Sequence, residues 1–575
     1  MVTTRLTAAA LALLILLFPA CGQADPPEAF RQKANLLWEQ VQAEWKDAVP
    51  TGEAGRVVFF SVCDGTTRAS VRSGTGETLE DAWTAAVRKT EALLRERETI
   101  PLWVKADVLL TAEAVTADQL AQALASSRRD FFHKGLAFDL DFSTALVEAE
   151  LNGFKIYDYD TGTVSLKYLN NYLRRDGRAV LESLPEEYVL FQCLSWFCDG
   201  DGSVYPLIPE GPDSGRRRVE AIDEDYARGL VLEASAFLEG LVQEDGSFVY
   251  GYYPRFDNEI ENYNIVRHAS TIWSLLCRYR LAPDEELAEK IERTIDYMRT
   301  QLRFDGEGRA YLYEAKAGEI KLGGCGMAVV AMTEYMDVFG NAKYQEDCLA
   351  LGEGILTMLD QSTGEFYHVL HGDFSRKEAY RTVYYDGEAA FALSRLYGLT
   401  GEDRWLDAAR SAVDHFIAAD YTQYRDHWVA YSMNEITKYV QDNPVYYTFA
   451  LENAQKNLEA IRWRDTTSHT YLELLMATFE IYDRMTAAGI AVEEFDLDAF
   501  LETVYARADR MLSGYFYPER AMYMANPQRI LGTFMVRHDG CRVRIDDVQH
   551  NIGGYYLFCK NYDKLTACGM SAPGA

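Results

Sequence analysis

Cations are scarce in this chain. Lys and Arg number 57 against 88 Asp and Glu, and the formal net charge is -31. Phosphate contacts need clustered Lys and Arg, so a nucleic-acid partner is excluded. Adsorption to anionic lipid through a basic face is disfavoured for the same reason. Paired CxxC motifs are missing, which removes a structural zinc site. No strand-linked glycine loop has nucleotide-binding spacing, and no flavin or haem signature is present, so no organic cofactor is inferred. EF-hand spacing is absent as well. Beyond residue 20 no stretch resembles a transmembrane helix. What is present is ordinary globular material: 48% apolar and 25% charged residues, in a chain long enough to bury several cores. Disorder as a main theme is thereby excluded. Aromatic content is the unusual number, at 13% with 37 Tyr. A Tyr ring with its polar tip suits the walls of wet clefts.

The N-terminus reads as an address. Arg5 precedes an apolar run from Leu6 to Ala20, too short to span a bilayer comfortably but right for a signal-peptide core. It ends in Phe18-Pro19-Ala20-Cys21-Gly22, which resembles a bacterial lipoprotein signal with Cys21 as the lipidated residue. Gly22, where Asp is not found, resembles the outer-membrane sorting pattern. The expected place is the cell envelope, lipid-anchored at the outer membrane facing the periplasm or at the cell surface. Removing Cys21 from the ten cysteines leaves nine, so at least one stays unpaired. Cys193 and Cys198 are close enough in sequence to bridge in an oxidising compartment. The rest, such as Cys277 in an apolar run, read as buried thiols.

Periodicity divides the remainder. Residues 1–21 are the signal segment and 22–50 a helical leader. Residues 51–205 alternate strand and helix patterns and read as an α+β domain. Within it, 57–62 is a strand, Asp64-Gly65 a hairpin turn, 78–97 a helix with a Thr78/Asp81 cap, 102–110 a strand and 117–125 a helix. A strand over 135–142 and a helix over 143–152 follow. No catalytic motif lies in this domain, so an adaptor or binding role is its default. Residues 206–220 form a Pro- and Gly-rich linker carrying Arg216-Arg217-Arg218, read as a solvated stretch with polysaccharide contact as the functional alternative.

From Ile222 the helical period takes over. Twelve helices are expected, beginning near Ile222, Asn264, Asp284, Leu322, Ala342, Asp386, Glu402, His427, Val445, His469, Asp496 and Asp546. Long loops rich in Gly and Tyr precede the even-numbered helices, and short turns precede the odd ones. A ring of six helical hairpins produces that layout. Residues 221–565 are therefore a mainly α domain, an (α/α)6 toroid preceded by the smaller α+β domain, with a tail over 566–575. The even helices line the centre, and their N-termini open into one funnel.

Chemistry-bearing side chains recur at those openings. They are Tyr263, Asn264, Arg267 and His268 at the first, Tyr384, Tyr385, Asp386 and Glu388 at the third, and His427 and Trp428 at the fourth. His469 lies at the fifth, and Arg544, Asp546, Asp547 and His550 at the sixth. Helix N-termini supply free N–H groups and a partial positive charge, so Asp386 and Asp546 also read as simple caps. Gly323, Gly324 and Gly326 at the second opening read as permitting close helix packing. His368 and His371, with Asp373 nearby, form an HxxH pair on a loop, and no metal is assigned to them.

The helical region resembles the (α/α)6 toroid group of carbohydrate-active enzymes, which includes six-hairpin glycosidases, sugar epimerases and polysaccharide lyases. Locally, Arg462-Trp463, then Thr467, His469, Leu472, Leu474 and Leu475, resembles the C-terminal domain of D-glucuronyl C5-epimerases. Arg464 and Asp465 stand where that family has Asp-Tyr.

Three functions are open at this stage. A glycoside hydrolase would pair Asp386 or Glu388 with Asp546 or Asp547 across the ring, the wide spacing of an inverting enzyme. Tyr263, Tyr384, Tyr385 and Trp428 would stack on sugars, and Arg267, His268, His469 and His550 would bind hydroxyls or a uronate carboxylate. A uronate C5-epimerase or lyase would use Tyr385 and His469 for proton work, with Arg267 or Arg544 on the carboxylate. A non-catalytic glycan-binding or scaffold lipoprotein of envelope polysaccharide machinery is the third. A glycan is the expected ligand in every case.

Overall fold

The computed structural model describes residues 25–45, 54–377, 382–491 and 494–572. The signal segment and Cys21 lie outside them. None of the described helices is long and apolar enough to cross a membrane.

The N-terminal domain is built on an antiparallel sheet. Its strands are β1 (Val57–Cys63), β2 (Ser70–Thr75), β3 (Trp103–Thr116), β4 (Gly135–Ala137), β5 (Ala145–Leu146), β6 (Glu187–Cys198) and β7 (Val204–Pro206). The order is β2-β1-β3-β6-β4-β5, with β7 on β6. β1 is Val-Val-Phe-Phe-Ser-Val-Cys and buried throughout, so both faces of the sheet must be covered. Helices α1 (Pro26–Trp45) and α2 (Leu79–Arg97) cover one face, where Phe30, Leu37 and Trp83 meet Val58, Phe60 and Trp196. The leader helix is thus part of this core. The toroid covers the other face, where Met522 and Tyr523 meet Phe59, Phe191 and Phe197.

Several local expectations give way here. The strand expected over 135–142 stops at Ala137, and in place of the helix over 143–152 stand β5 and the single turn Glu148–Leu151. Asp139 accepts from the N–H groups of Ser143 and Thr144, which makes a turn where a helix would start. The long strand β6 went unread in the sequence. It also rules out the Cys193–Cys198 bridge. Five residues along one strand are about 16 Å, far beyond a disulfide's reach. All nine described cysteines are free thiols.

The linker arginines are not solvated, apart from exposed Arg218. Arg216 is 1% exposed and bonds both carboxylate oxygens of Asp509 at 2.9 Å. Arg217 reaches Glu519 at 2.7 Å and Asp199 at 3.1 Å, with its guanidinium 3.8 Å from the Tyr205 ring centroid. They staple the two domains together.

All twelve toroid helices form. The outer set is Glu224–Gly240, Glu285–Thr300, Gln345–Thr357, Asp403–Ala418, Pro444–Gln455 and Leu497–Met511. The inner set, first to sixth, is Ile265–Leu281, Leu322–Phe339, Tyr385–Thr400, His427–Ile436, Thr470–Ala487 and Ile545–Ala567. Each inner helix packs on the next, and the sixth closes onto the first. The third and sixth therefore face each other across the ring. Residues 322–336 of the second inner helix are buried on every side, as a helix at the centre of a ring must be. Local chemistry sets the ends. Asn264, Asp284, Asp426 and Asp496 cap their helices through side-chain oxygens, and Gly340 (φ 61°) and Gly401 (φ 70°) end two others in the left-handed region.

Candidate active site

The inner-helix N-termini surround an open cavity of ≈ 680 Å³. Its wall carries Arg267, Arg464, Arg542 and Arg544 against Glu388, Asp546 and Asp547. A cationic funnel in a chain of net charge -31 is a local inversion of sign. It favours an anionic ligand.

The third inner helix supplies Glu388. Its side chain is buried beside Gly323 of the second, where a Cβ would lie 1.9 Å from Oε2. The glycine thus makes the room that the carboxyl occupies. Among the described residues Oε2 has no hydrogen-bond partner. Burial, with the charges of Asp426 and Asp546, pushes Glu388 up to about 8, so it holds a proton at neutral pH.

Three histidines meet beside it. The rings of His427 and His550 are 4.8 Å apart at 81°, and those of His469 and His550 stack at 5.2 Å. His550 Nδ1 is 2.7 Å from Glu473 Oε2, and its Nε2 is 3.7 Å from Asp546. Burial works to discharge His550, but these two carboxylates overcome it and push its imidazole up to about 10. His427 is 1% exposed, and neither ring nitrogen has a hydrogen bond among the described residues. Burial and the neighbouring His550 charge hold it well below the usual histidine range. His469 falls to about 4 for the same two reasons. The cluster therefore contains neutral imidazoles against an imidazolium. His427, Glu473 and His550 also present ligand atoms within 4.8 Å of one another. Two of these groups, His550 and Glu473, are the ones joined by the 2.7 Å contact.

Asp546 is ionised and committed. It sits 3.0 Å from both Arg267 and Arg544, and with His550 these cations overcome burial to hold it far below the carboxylate range. Asp547 is 1% exposed, accepts from the backbone N–H of Arg544 at 3.0 Å, and pairs with the Arg544 and Arg542 guanidiniums. It is the third residue of its helix and reaches back to Arg544 at the cap position. Arg464 lines the wall and donates to the Thr466 hydroxyl at 3.0 Å, with no ion-pair partner among the described residues.

Of the other expected site residues, Asp386, His268 and Tyr263 lie behind the wall, while Asn264, Tyr384, Tyr385 and Trp428 line it. Asp386 is 2% exposed, does not cap its helix, and accepts from His368 Nε2 at 2.9 Å and the Tyr421 hydroxyl at 3.3 Å. His368 is thus held by Asp386 and the Thr382 N–H, while His371 sits on a short strand. His268 is a core histidine, bonded to the Tyr263 hydroxyl at 2.6 Å and the Thr294 carbonyl at 2.9 Å. That also fixes Tyr263, whose oxygen accepts from the Phe248 N–H. Asn264 spends its side chain on Val266 and Arg267 N–H groups. Trp428 is 2% exposed and forms floor with Trp273 and Tyr431, so it offers no open stacking face. Tyr384 does: it is 40% exposed, has φ 92°, and lies edge-on to His427 at 5.2 Å. A tyrosine in that backbone region is strained, as residues at functional sites often are. Tyr385 also lines the funnel.

Sequence reading missed Glu473, Arg464 and Arg542. His469/Glu473 and Asp546/His550 share the i, i+4 spacing that puts both members on one helix face, a signal that pointed to Glu473. From the resembling segment, Thr467 and His469 line the funnel, whereas Trp463 is 70% exposed and Arg462 pairs with Glu502.

No protein-family model and no curated protein matches the chain. Among solved structures, it is similar to a D-mannose isomerase, with 11% identity and TM-score 0.47 over 60% of this chain and 100% of that one. A cellobiose 2-epimerase from Bacillus thermoamylovorans gives 13% identity and TM-score 0.46 over 59% and 99%. A family 76 glycoside hydrolase from a bovine Bacteroides thetaiotaomicron strain gives 10% and 0.45 over 80% and 96%.

Proposed function

We propose that the protein is a saccharide-acting acid–base enzyme that moves a proton at the carbon beside a uronate carboxylate, as a C5-epimerase or a β-eliminating lyase. The observation that carries this is the His427–His550 pair, 4.8 Å between ring centroids beneath an arginine-lined wall, with Glu473 2.7 Å from His550 favouring charge on that ring and burial disfavouring it on His427. Arg464, with no carboxylate partner among the described residues, receives the substrate carboxylate, and Arg267 adds to the cationic field. Neutral His427 takes the C5 proton, and the electron pair moves into the carboxylate as an enolate that the guanidinium stabilises. Return of a proton from the other face, by His550 or Glu388, gives the epimer. Expulsion of the 4-linked sugar, with its oxygen protonated by Glu388, gives the unsaturated product. Tyr384 stacks on a sugar ring at the mouth.

A second reading, glycoside hydrolysis, has one observation in its favour. Glu388 keeps its proton while Asp546 across the ring is ionised, the split that an acid and a base carboxyl need. Arg267 and Arg544 each pair with Asp546 at 3.0 Å and occupy the lone pairs that would activate water, so hydrolysis ranks second. The proposal includes export and lipid attachment at Cys21, which radiolabelled palmitate incorporation, lost in Cys21→Ala, tests.

One experiment separates the chemistries. Uronate and neutral oligosaccharides are incubated with the protein in D2O. Deuterium at C5 supports epimerisation, and new absorbance near about 232 nm supports elimination. New reducing ends with neither signal favour hydrolysis. Silence in all channels, with saccharide binding retained, leaves a binding protein.

A further inference from the structure

A second cavity, of ≈ 80 Å³, lies between the α+β sheet and the toroid. The sheet side contributes Lys105, Asp107 and Ser195, and the toroid side Arg520, Tyr523 and Arg537. Its charges do not cancel. Lys105 pairs with Asp107 at 2.6 Å. Glu148 pairs with His133 at 3.0 Å and Arg537 at 3.2 Å, and Glu519 is taken by Arg217. Among the described residues, Arg255 and Arg520 are left with no carboxylate in ion-pair range. Arg255 donates to the Ala149 carbonyl at 3.0 Å and Arg520 to the Ser214 carbonyl at 2.8 Å. Arg255 is 5% exposed, with its Nε against Gly153 and its guanidinium 4.5 Å from the Phe154 ring centroid, while Arg520 Nε is buried with no hydrogen bond among the described residues. An uncompensated buried charge costs several kcal/mol. Arg520 is such a charge, Arg255 adds a second guanidinium to the same cavity, and together they favour an anion there. Asp107 Oδ2 is also buried and unbonded. It accepts the hydrogen of a protonated oxyanion and repels an unprotonated one.

The geometry points to an interdomain site for hydrogenphosphate, held by Arg255 and Arg520, with its P–OH donated to Asp107, tying the two domains together. The site is independent of the funnel and of the chemistry proposed there. The cavity holds several water volumes, which is room for one tetrahedral oxyanion.

The test uses the full chain, dialysed free of phosphate. Acid-denatured protein is assayed for released phosphate by ion chromatography, and dialysed protein is titrated calorimetrically with inorganic phosphate and with sulfate at matched ionic strength. Arg520→Met, the milder Arg520→Lys and, as control, Arg218→Met are run alongside. The expected result is tightly retained or saturably bound phosphate, weakened at least about tenfold in Arg520→Met and unchanged in Arg218→Met, with a matching loss of the phosphate-dependent rise in Tm. If Arg520→Met does not fold, Arg520→Lys carries the comparison. Neither retained nor saturably bound phosphate in the wild type overturns the site. So does equal binding in the Arg520 variants. Equal affinity for sulfate removes the role of Asp107, and with it the assignment to hydrogenphosphate.

Discussion

The imidazoles of His427 and His550 meet at 4.8 Å and 81° from inner helices that are not ring neighbours, one neutral and one charged. Glu473, on the helix between them, holds the charged one. If this pair moves the proton, His427→Asn and His550→Asn each lower turnover by about 10²–10⁴-fold with little change in saccharide affinity. Single-turnover kinetics and a binding titration check both halves. Turnover that survives in either variant removes that histidine from the chemistry.

The imidazolium has a stability signature. His550 is raised from 6.5 to about 10, so its contribution to folding is complete below about pH 6.5 and is lost as pH rises toward 10. Glu473→Gln removes the principal carboxylate and narrows that window. Denaturant unfolding between pH 6 and pH 10 should show a shallower alkaline fall in the variant, and parallel curves would contradict the ion pair as the cause.

Glu388 has the opposite character, because its raised pKa is a penalty. The unfolded carboxyl loses its proton near 4.5 and the folded one near 8, so the folded state binds the extra proton and stability declines across that window. Glu388→Gln keeps the neutral form. It should be more stable than wild type above pH 8, while activity falls by about 10²-fold or more. In the wild type, turnover should fall as pH passes through about 8.

The same carboxyl depends on a missing methyl group. A Cβ on Gly323 would sit 1.9 Å from Glu388 Oε2 and 2.5 Å from the Tyr385 ring. Gly323→Ala should displace the acid and cost activity beyond its effect on Tm. Gly324→Ala, whose Cβ meets only ordinary contacts from 3.5 Å outward, is the control. Equal loss in the two would assign the glycine to packing alone.

Arg217 should matter to the domain interface. Its partner Glu519 is 1% exposed, so Arg217→Met strands a buried carboxylate and should destabilise the chain by about 3–5 kcal/mol. Glu519→Gln in the same chain should recover part of that loss. Exposed Arg218→Met should be near neutral in the same melts.

Much of the architecture was legible because it is local. The 3.6-residue period, the caps Asn264, Asp284 and Asp496, and the alternation of long loops with short turns each act within a few residues. Together they determined twelve helices, their pairing into hairpins and the clustering of acids, histidines and arginines at one end of the ring. The short range that made this readable also limited it. Asp386 and Glu388 differ by two positions on one helix. Only the turn of that helix against its neighbours sends one to His368 and the other into the funnel. Arg216 and Arg217 look like linker until distant Asp509 and Glu519 are brought to them. Protonation is the extreme case. Glu388, His427 and His550 acquire their states from burial and from charges on other helices. Composition and period thus determined what kinds of groups the funnel holds, and tertiary packing alone decided which of them carry a proton, because desolvation and Coulomb fields are sums over residues far apart in the chain.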